Sequence, residues 1–576
     1  MHNGGLKTPL AGRDFIAFFA VGISAYLFHL SFLKAAPAIL NSDFAYFWLA
    51  SDRIRSGHWV PFTFFGGTLV PALRALWQAI WVAVSGPETD ASHLASAVAF
   101  TYAFLPAVLS AAVFALCRSL TGLLPSLLAG VIAAVGFHFN TLELFGTDYH
   151  SGAVILGCVL LSLRGQATHP LRDLPRARLL AAAFVTGLAV WVSRASLIYA
   201  LAFWIPWQYA WAELTLALRP RNRGLRLVSL LFWILIGIWI YLEIFGPDLG
   251  SFQGHRVALD AGPNWDLAKL CLLILLGSSI LPRVTRSDWV RVGWVAFGAA
   301  LGFMPELWQR LVVEHKLPSL QSGYTLSFAE SLVAIGKLPS SFRTIVAGDP
   351  LALSSTASVI LAMAGLIALA QACRRKDWRF APIGVVAVTA AIAYVRVRTY
   401  TTDAPVRYLL PILPAVFVGY ACLGQKIAAL VTPRLWVRGL ALAALIGLTA
   451  AHAVGQISAR DQATGQLIAS GKFDQIQEVI RRFRENGVEL VFTDSYWRTH
   501  PFGYVAREKP FFVYRDIWVP HWEEDDAVSN ARKFGYLSAS PLVSESETIR
   551  GHHYAVQALG KVGELYLSRL LRKDPE

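Results

Sequence analysis

A few residues in this chain are chemically able and sit where otherwise apolar sequence begins or ends. Asp43 closely follows a long hydrophobic run, in NSDFAYFWLASDRIRSGHW. A carboxylate at such a boundary stays ionised, and partial burial raises its basicity, which suits a general base. The same residue, or Ser42, would equally serve as the N-cap of a helix running to Ile54. Asp52 lies about two and a half helical turns further on, so the two carboxylates share a broad face if the segment is helical. Asp148, in GTDYH, is a lone acid at the start of another apolar run, beside Tyr149 and His150, and is again open to a capping reading. Arg194 interrupts AVWVSRASLIYAL, and an ionisable residue inside an apolar segment is a functional candidate by default, with snorkelling to the headgroups as the alternative. Arg396, Arg398 and Arg407 crowd the loop RVRTYTTDAPVRYLLP, where Arg407 either anchors a helix end or binds an anion. His58 and His150 lack HxH or HExxH spacing, so no metal site is indicated by motif.

What positions these residues is a membrane. The chain has 576 residues, 55% of them hydrophobic and 15% charged, whereas soluble domains carry roughly 25% charge. Its mean hydropathy is +0.49. These values exclude an ordinary soluble enzyme and indicate a polytopic membrane protein with a more polar C-terminal tail. The 51 Lys and Arg against 37 Asp and Glu give +14, yet the basic residues cluster in short loops between apolar runs, so no nucleic-acid partner is expected. The five cysteines show no CxxC spacing, which leaves no metal or disulfide framework. MHNGGLKTPLAGRD ahead of the first apolar run lacks a nearby small-residue cleavage signature and reads as leading into an uncleaved span.

About thirteen helical spans are expected, near 15–33, 94–116, 123–139, 150–163, 179–193, 195–212, 227–245, 267–282, 289–305, 352–372, 380–395, 408–424 and 436–455. If Lys7 and Arg13 are cytoplasmic, every second connection is short and basic, from Arg118 through Arg172, Arg221, Arg286 and Arg375 to Lys426. An odd number of spans then puts the first loop (about 38–92), the 306–350 loop and the tail outside. The second part of the first loop is apolar enough for interfacial helices, but Arg74 and its Pro and Gly breaks argue against clean spans. The fold class is therefore an all-α polytopic membrane protein, residues 1–455, followed by a small extracytoplasmic α/β domain, 456–576. In that tail, 474–486 reads as an amphipathic helix capped by Gly487, and VELVFTD, KPFFVYRD and HHYAVQAL read as strands.

The segment from Ser42 to Gly66, matching SDxAxxxLAxxxIxxGxxxPFxxxG, resembles the first outer loop of the C-type (GT-C) glycosyltransferases. These multispanning enzymes use polyprenyl-phosphate-linked sugars; the bacterial branches resembling protein mannosyltransferases and the lipid A aminoarabinose transferase are the most similar. GTDYHSGAVILGCVLLSLR, GLAVWVSRASLIYAL, LGFMPELW and RYLLPILPAVF are similar to later family segments, in the family's order. The resemblance implies that Asp43 is the catalytic base, although Phe44 stands where many members carry a second acid, which puts a paired-carboxylate metal site in doubt. Asp148 matches the place of a second acid that orients the acceptor or helps bind a divalent cation (Mg or Mn). A sugar leaving a lipid phosphate develops negative charge there, so Arg194 and Arg407, with Arg398, would hold the donor phosphate. Tyr149, His150 and Asp52 are further substrate-binding candidates.

The implied activity is transfer of a sugar from a polyprenyl-phosphate donor to an envelope glycan, lipid or protein, at the outer face of a bacterial inner membrane. Two other readings stay open: a flippase of lipid-linked saccharides and a non-catalytic envelope assembly protein. Against the first, ionisable residues gather at span ends, and Glu143 and Glu243, among the few exceptions, can also be placed at outer ends. Of the many aromatics, Tyr46, Trp48, Trp59 and Phe65 are candidates to line a sugar and lipid groove, with interfacial belts as the alternative.

Overall fold

The computed structural model describes residues 12–31, 33, 45, 48, 49, 51, 72–85, 96–135, 149–193, 196–205, 286–312, 328–347, 353–375, 377–396, 406–429, 435–506, 510–515, 527–542 and 544–573. The expected spans near 227–245 and 267–282 lie outside them. Helix α1 is Gly12–His29, with Asp14 in its first turn, where a negative charge meets the positive end of the helix dipole. Ala72–Ser85 (α2) is the first-loop helix. A π-helical turn, Ala99–Phe104, runs without a break into α3, Leu105–Leu120, and Pro106 at the join has no N–H to give to the preceding turn. There follow α4, Leu123–Val135, and α5, Tyr149–Arg164. Next come α6, Arg176–Val192, and α7, Leu197–Trp204. The next stretch holds α8, Arg286–Val312, and α9, Phe328–Ala347. The helical part closes with α10, Leu353–Arg374, α11, Ala381–Arg396, a 3-10 segment, Val406–Ile412, α12, Leu413–Ala428, and α13, Leu435–Ala469.

Among the described residues, four helical stretches are long and apolar enough to cross a membrane: Ser96–Leu120, Ser355–Arg374, Leu409–Ala428 and Gly439–Ser458. The helices associate through small residues, as expected where lipid supplies no hydrophobic drive between spans. A Cβ on Gly187 of α6 would stand 2.1 Å from the Ala299 carbonyl oxygen of α8, and one on Gly302 of α8 would stand 2.1 Å from that of Phe184. Gly365 of α10 and Gly419 of α12 press backbone on backbone in the same way.

Contacts between helix termini sort the bundle into two ends. At one, the Asp14 carboxylate pairs with Arg118 at 3.0 Å. Gly165, just past α5, lies by Ser119 of α3, and Gly424 of α12 lies against Pro125 and Leu128 of α4. Arg178 donates to the Ser162 carbonyl at 3.1 Å, and Arg172 pairs with Asp288 at 3.0 Å. Arg164 is buried, yet its guanidinium donates to the carbonyls of Ala167, Ala202, Phe203 and Ile205, which closes the C-terminus of α7. Lys426 donates to Gln371, joining the ends of α10 and α12. The basic connections among the described residues thus share one end. At the opposite end His29 Nε2 donates to the Ala134 carbonyl at 3.1 Å, Gly152 of α5 meets Val192 of α6, and Gln456 of α13 donates to the Ala347 carbonyl at 3.2 Å.

Two features differ from the sequence expectation. The 306–350 connection contains the 20-residue α9, whose Glu330, Lys337, Arg343 and internal Pro339 mask it in a search for apolar runs. Helix α13 runs on for 35 residues, so the expected boundary at 455 falls inside a helix. Beyond it lie α14, Lys472–Glu485, β1, Leu490–Thr493, α15, Tyr496–Ala506, and β2, Phe511–Tyr514. β3, Phe534–Ser538, β4, Ser546–Ile549, β5, His552–Val562, and β6, Leu565–Arg572, complete the sheet. Its order is β2-β1-β3-β6-β5-β4. β1 pairs in parallel with β2 and β3, which requires crossovers, one of them α15; the remaining pairs are antiparallel. Ile476, Val479, Ile480 and Phe483 form one stripe of α14 and bury it on Val491, Leu537 and Leu567. Gly535 has no side chain because the Phe483 ring takes that space, 2.7 Å from where its Cβ would stand.

Candidate functional site

Three candidate positions stand at the starts of elements that pack on one another, and those starts lie opposite the basic connections. Helix α5 begins at Tyr149, directly after Asp148, and has His150 as its second residue. Helix α7 begins just after Arg194, and Arg407 is the second residue of the 3-10 segment. One side chain joins all three elements. Tyr199 of α7 is fully buried, and its ring lies on Gly157 of α5, where a Cβ would stand 2.6 Å from ring carbons. Its hydroxyl donates to the Pro411 carbonyl of the 3-10 segment at 3.1 Å. Pro411 interrupts regular helix, and Pro414 restarts it at the head of α12, so the backbone holding Arg407 is fixed by both prolines. The 3-10 segment also packs on α9 and α11, where Ser341 and the Tyr394 hydroxyl are 2.6 Å apart.

Asp43, Asp52, Asp148, Arg194 and Arg398 themselves lie outside the described residues. Beside Asp43, however, Ala45, Trp48, Leu49 and Ser51 are helical, and Ala45, Trp48 and Ser51 are buried. Trp48 packs edge-on against Phe100 of the π-helical turn, with ring centroids 6.1 Å apart. As a buried core residue Trp48 does not line an open groove, one of the two readings that its place among the loop aromatics left open. Trp81 of α2 closes the same cluster over Phe100 and Phe104, at 5.4 and 5.1 Å, while its indole N–H is shared between the carbonyl and hydroxyl oxygens of Ser96. Both described parts of the first loop are therefore seated on a π-helical turn, a backbone irregularity often found at functional sites.

Sequence reasoning missed Tyr199, the π-helical turn and three buried hydroxyls. Among the described residues, the hydroxyls of Ser51, Thr101 and Ser196, in the first loop, the π-helical turn and the start of α7, find no hydrogen-bond partner. Each unsatisfied hydroxyl costs about 1–3 kcal/mol, and all three fall in elements that flank the candidate residues. No periodicity or motif in the sequence signals them. Among the described residues no group of three His, Cys, Asp or Glu side chains comes together to hold a metal ion. Outside the spans, at the basic end, burial and then the Arg172 guanidinium hold the His169 imidazole below its ordinary pKa, so this end keeps a neutral histidine among its cations.

The bundle, with its close-packed small-residue crossings and four helical stretches long and apolar enough to cross a membrane among the described residues, is a helical membrane architecture followed by a mixed-sheet tail. The chain is similar in structure to ArnT from Cupriavidus metallidurans bound to undecaprenyl phosphate, with a TM-score of 0.50 and 11% identity over 97% of this chain and 98% of that one. It is also similar to the Archaeoglobus fulgidus oligosaccharyltransferase in the apo form, with a TM-score of 0.45 and 13% identity over 86% of this chain and 64% of that one. The same enzyme in complex with zinc and sulfate gives 0.45 and 14%, over 90% and 67%. The chain spans about two thirds of the length of that archaeal enzyme. No family model and no curated protein sequence matches it.

Proposed function

We propose that the chain is a membrane glycosyltransferase that moves a sugar from a polyprenyl-phosphate donor to an acceptor hydroxyl of an envelope glycan, lipid or protein. The reaction takes place at the outer face of a bacterial inner membrane. The observation that carries this reading is the junction of α5, α7 and the 3-10 segment on Tyr199, which packs together three elements whose starts, beside Asp148, Arg194 and Arg407, lie at the end away from the basic connections. By the positive-inside rule that end is the outer one. The fold shared with ArnT, whose structure holds undecaprenyl phosphate, supports a lipid-phosphate donor.

In this reading Asp43 accepts the proton of the acceptor hydroxyl as its oxygen attacks the anomeric carbon. The bond from that carbon to the phosphate oxygen breaks with inversion, and its electron pair leaves with the lipid phosphate. Arg194 and Arg407, with Arg398, hold that phosphate as its charge grows, an interaction stronger in the transition state than before it. Asp148 orients the acceptor beside Tyr149 and His150, and Asp52 contributes to acceptor binding. A divalent cation (Mg or Mn) would be held with the help of Asp148 and would supply positive charge beside the acceptor. The test is a purified preparation in liposomes, given a panel of polyprenyl-phosphate sugars. Labelled sugar passing to an acceptor is the expected result, whereas lipid crossing the bilayer without transfer would make the chain a flippase.

A further inference from the structure

The tail does not merely follow the bundle; one of its helices enters the bundle's core. Helix α15 divides its faces between two cores. Phe502 and Ala506, one turn apart, are buried in the tail's own core with Ile476, Phe483 and Phe512. Tyr504, only 5% exposed, belongs instead to the buried core of the helical bundle, the core that also holds Ala45 and Trp48. Val505 packs against both cores, and Phe473 at the head of α14 packs against the bundle as well. Between them Gly503 faces the first loop: a Cβ there would stand 3.8 Å from Leu49 Cδ1 and 3.9 Å from Phe512 Cβ. Leu49 in turn lies in the helical residues directly after Asp43.

We propose that Gly503 is a positioning residue, through which the folded tail, seated on the bundle by Tyr504, holds the first-loop helical residues, and with them Asp43, in place for transfer. This rests on the reading of Asp43 as the base. The distances set the size dependence. At 3.8 Å an added methyl makes ordinary contact, so Gly503→Ala is tolerated; a branched side chain at the same place has to displace Leu49. A displacement of about 1 Å at the reacting groups can cost a hundredfold in rate, and the loss falls on kcat, because the groups assigned to the donor phosphate lie on other elements.

The experiment compares wild type, Gly503→Ala, Gly503→Leu, Leu49→Ala and the double variant Gly503→Leu/Leu49→Ala, in detergent preparations matched for monodispersity, with kcat and donor KM measured for each. Gly503→Leu is expected to lower kcat by about tenfold to a hundredfold at nearly unchanged KM, with Gly503→Ala close to wild type. Removing bulk at Leu49 in the double variant is expected to restore much of the loss. Unchanged kcat in Gly503→Leu, or a loss that Leu49→Ala does not relieve, would overturn the proposal. If Gly503→Leu does not fold, Leu49→Trp applies the same displacement from the other side, with the same two outcomes. A paired Leu49→Cys/Gly503→Cys protein, treated with a short thiol cross-linker, reports the contact without activity; failure to cross-link overturns the proposal. If the pair cross-links and compensates in size while Asp43→Asn keeps transfer, the tail still positions the first loop, and it is the base assignment that fails.

Discussion

The hydroxyl of Tyr199 reaches across 212 positions of sequence to the carbonyl of Pro411, and this hydrogen bond, 3.1 Å long and buried, ties α7 to the 3-10 segment. With Gly157 beneath its ring, one tyrosine sets the separation of three elements that begin beside Asp148, Arg194 and Arg407. If these residues act together, disturbing Tyr199 should disturb transfer without breaking the bundle.

Gly157→Ala forces a methyl to within 2.6 Å of the Tyr199 ring, which is the centre of a packed side chain and has no slack. Overpacking of this kind costs about 1–3 kcal/mol. We expect a modest drop in thermal stability and a larger relative drop in transfer. Tyr199→Phe should lose about 1 kcal/mol from the hydrogen bond. Measuring kcat/KM beside the unfolding temperature separates the two effects; equal, small losses in both would show Tyr199 to be packing only.

The crossing of α6 on α8 should be far less forgiving. A Cβ at Gly187 or Gly302 meets a carbonyl oxygen at 2.1 Å, and neither backbone can yield without separating the helices. Gly187→Leu and Gly302→Leu are expected to abolish accumulation of monodisperse protein, while Gly293→Leu, which has nothing within 4 Å, should be neutral. Fluorescence-detected size exclusion of the three variants checks this, and a normal peak for Gly302→Leu would contradict the close crossing.

How much of this was legible in the sequence depends on whether a feature is local. Apolar runs located α1, α3, α5, α10 and α12, because each long helix in lipid must satisfy its own backbone. The basic loops carried through to one end of the bundle, as Arg118, Arg172 and Lys426 illustrate. The stripe Ile476, Val479, Ile480 and Phe483 announced α14 by its 3.6-residue period. By contrast, α9 was hidden by Lys337, Pro339 and Arg343, and the run of α13 beyond 455 by its polar second half. At the candidate site, acids and arginines at apolar boundaries can be read from residue type alone. The Gly157–Tyr199–Pro411 junction and the Leu49–Gly503 contact cannot, since complementarity between distant residues leaves no local pattern.

Acid should weaken the tail through Glu478. Hydrogen bonds from Arg481 first, then Arg482, hold its carboxyl down to about 2 from an ordinary 4.5. A depressed folded-state pKa contributes stability that is complete above about 4.5 and disappears as pH falls toward 2. Because the group is exposed and screened, the effect should be small and should shrink further in high salt. Unfolding followed from pH 6 to 3 in wild type and Glu478→Gln should show wild type losing its advantage below about 4.5; a constant difference across that range would contradict the assignment.

Arg407→Ala should weaken donor binding by about 1.5–3 kcal/mol if its guanidinium holds the phosphate, or roughly tenfold to a hundredfold in donor KM. Arg407→Lys should recover part of this, keeping the charge but not the planar fork. Titration with polyprenyl phosphate itself, which carries no sugar, tests binding apart from chemistry. Equal affinity in wild type and Arg407→Ala would return Arg407 to the role of a helix-end anchor.

The most direct test of the reading as a whole is sugar transfer from polyprenyl-phosphate sugars in membranes of a deletion strain, complemented by wild type or Asp43→Asn at matched expression. Transfer that requires the wild type and is lost by a thousandfold or so in Asp43→Asn, about what removal of a general base costs, is the expected result. Transfer that persists in Asp43→Asn would remove Asp43 from catalysis, and no transfer from any donor by the wild type would contradict the glycosyltransferase reading itself.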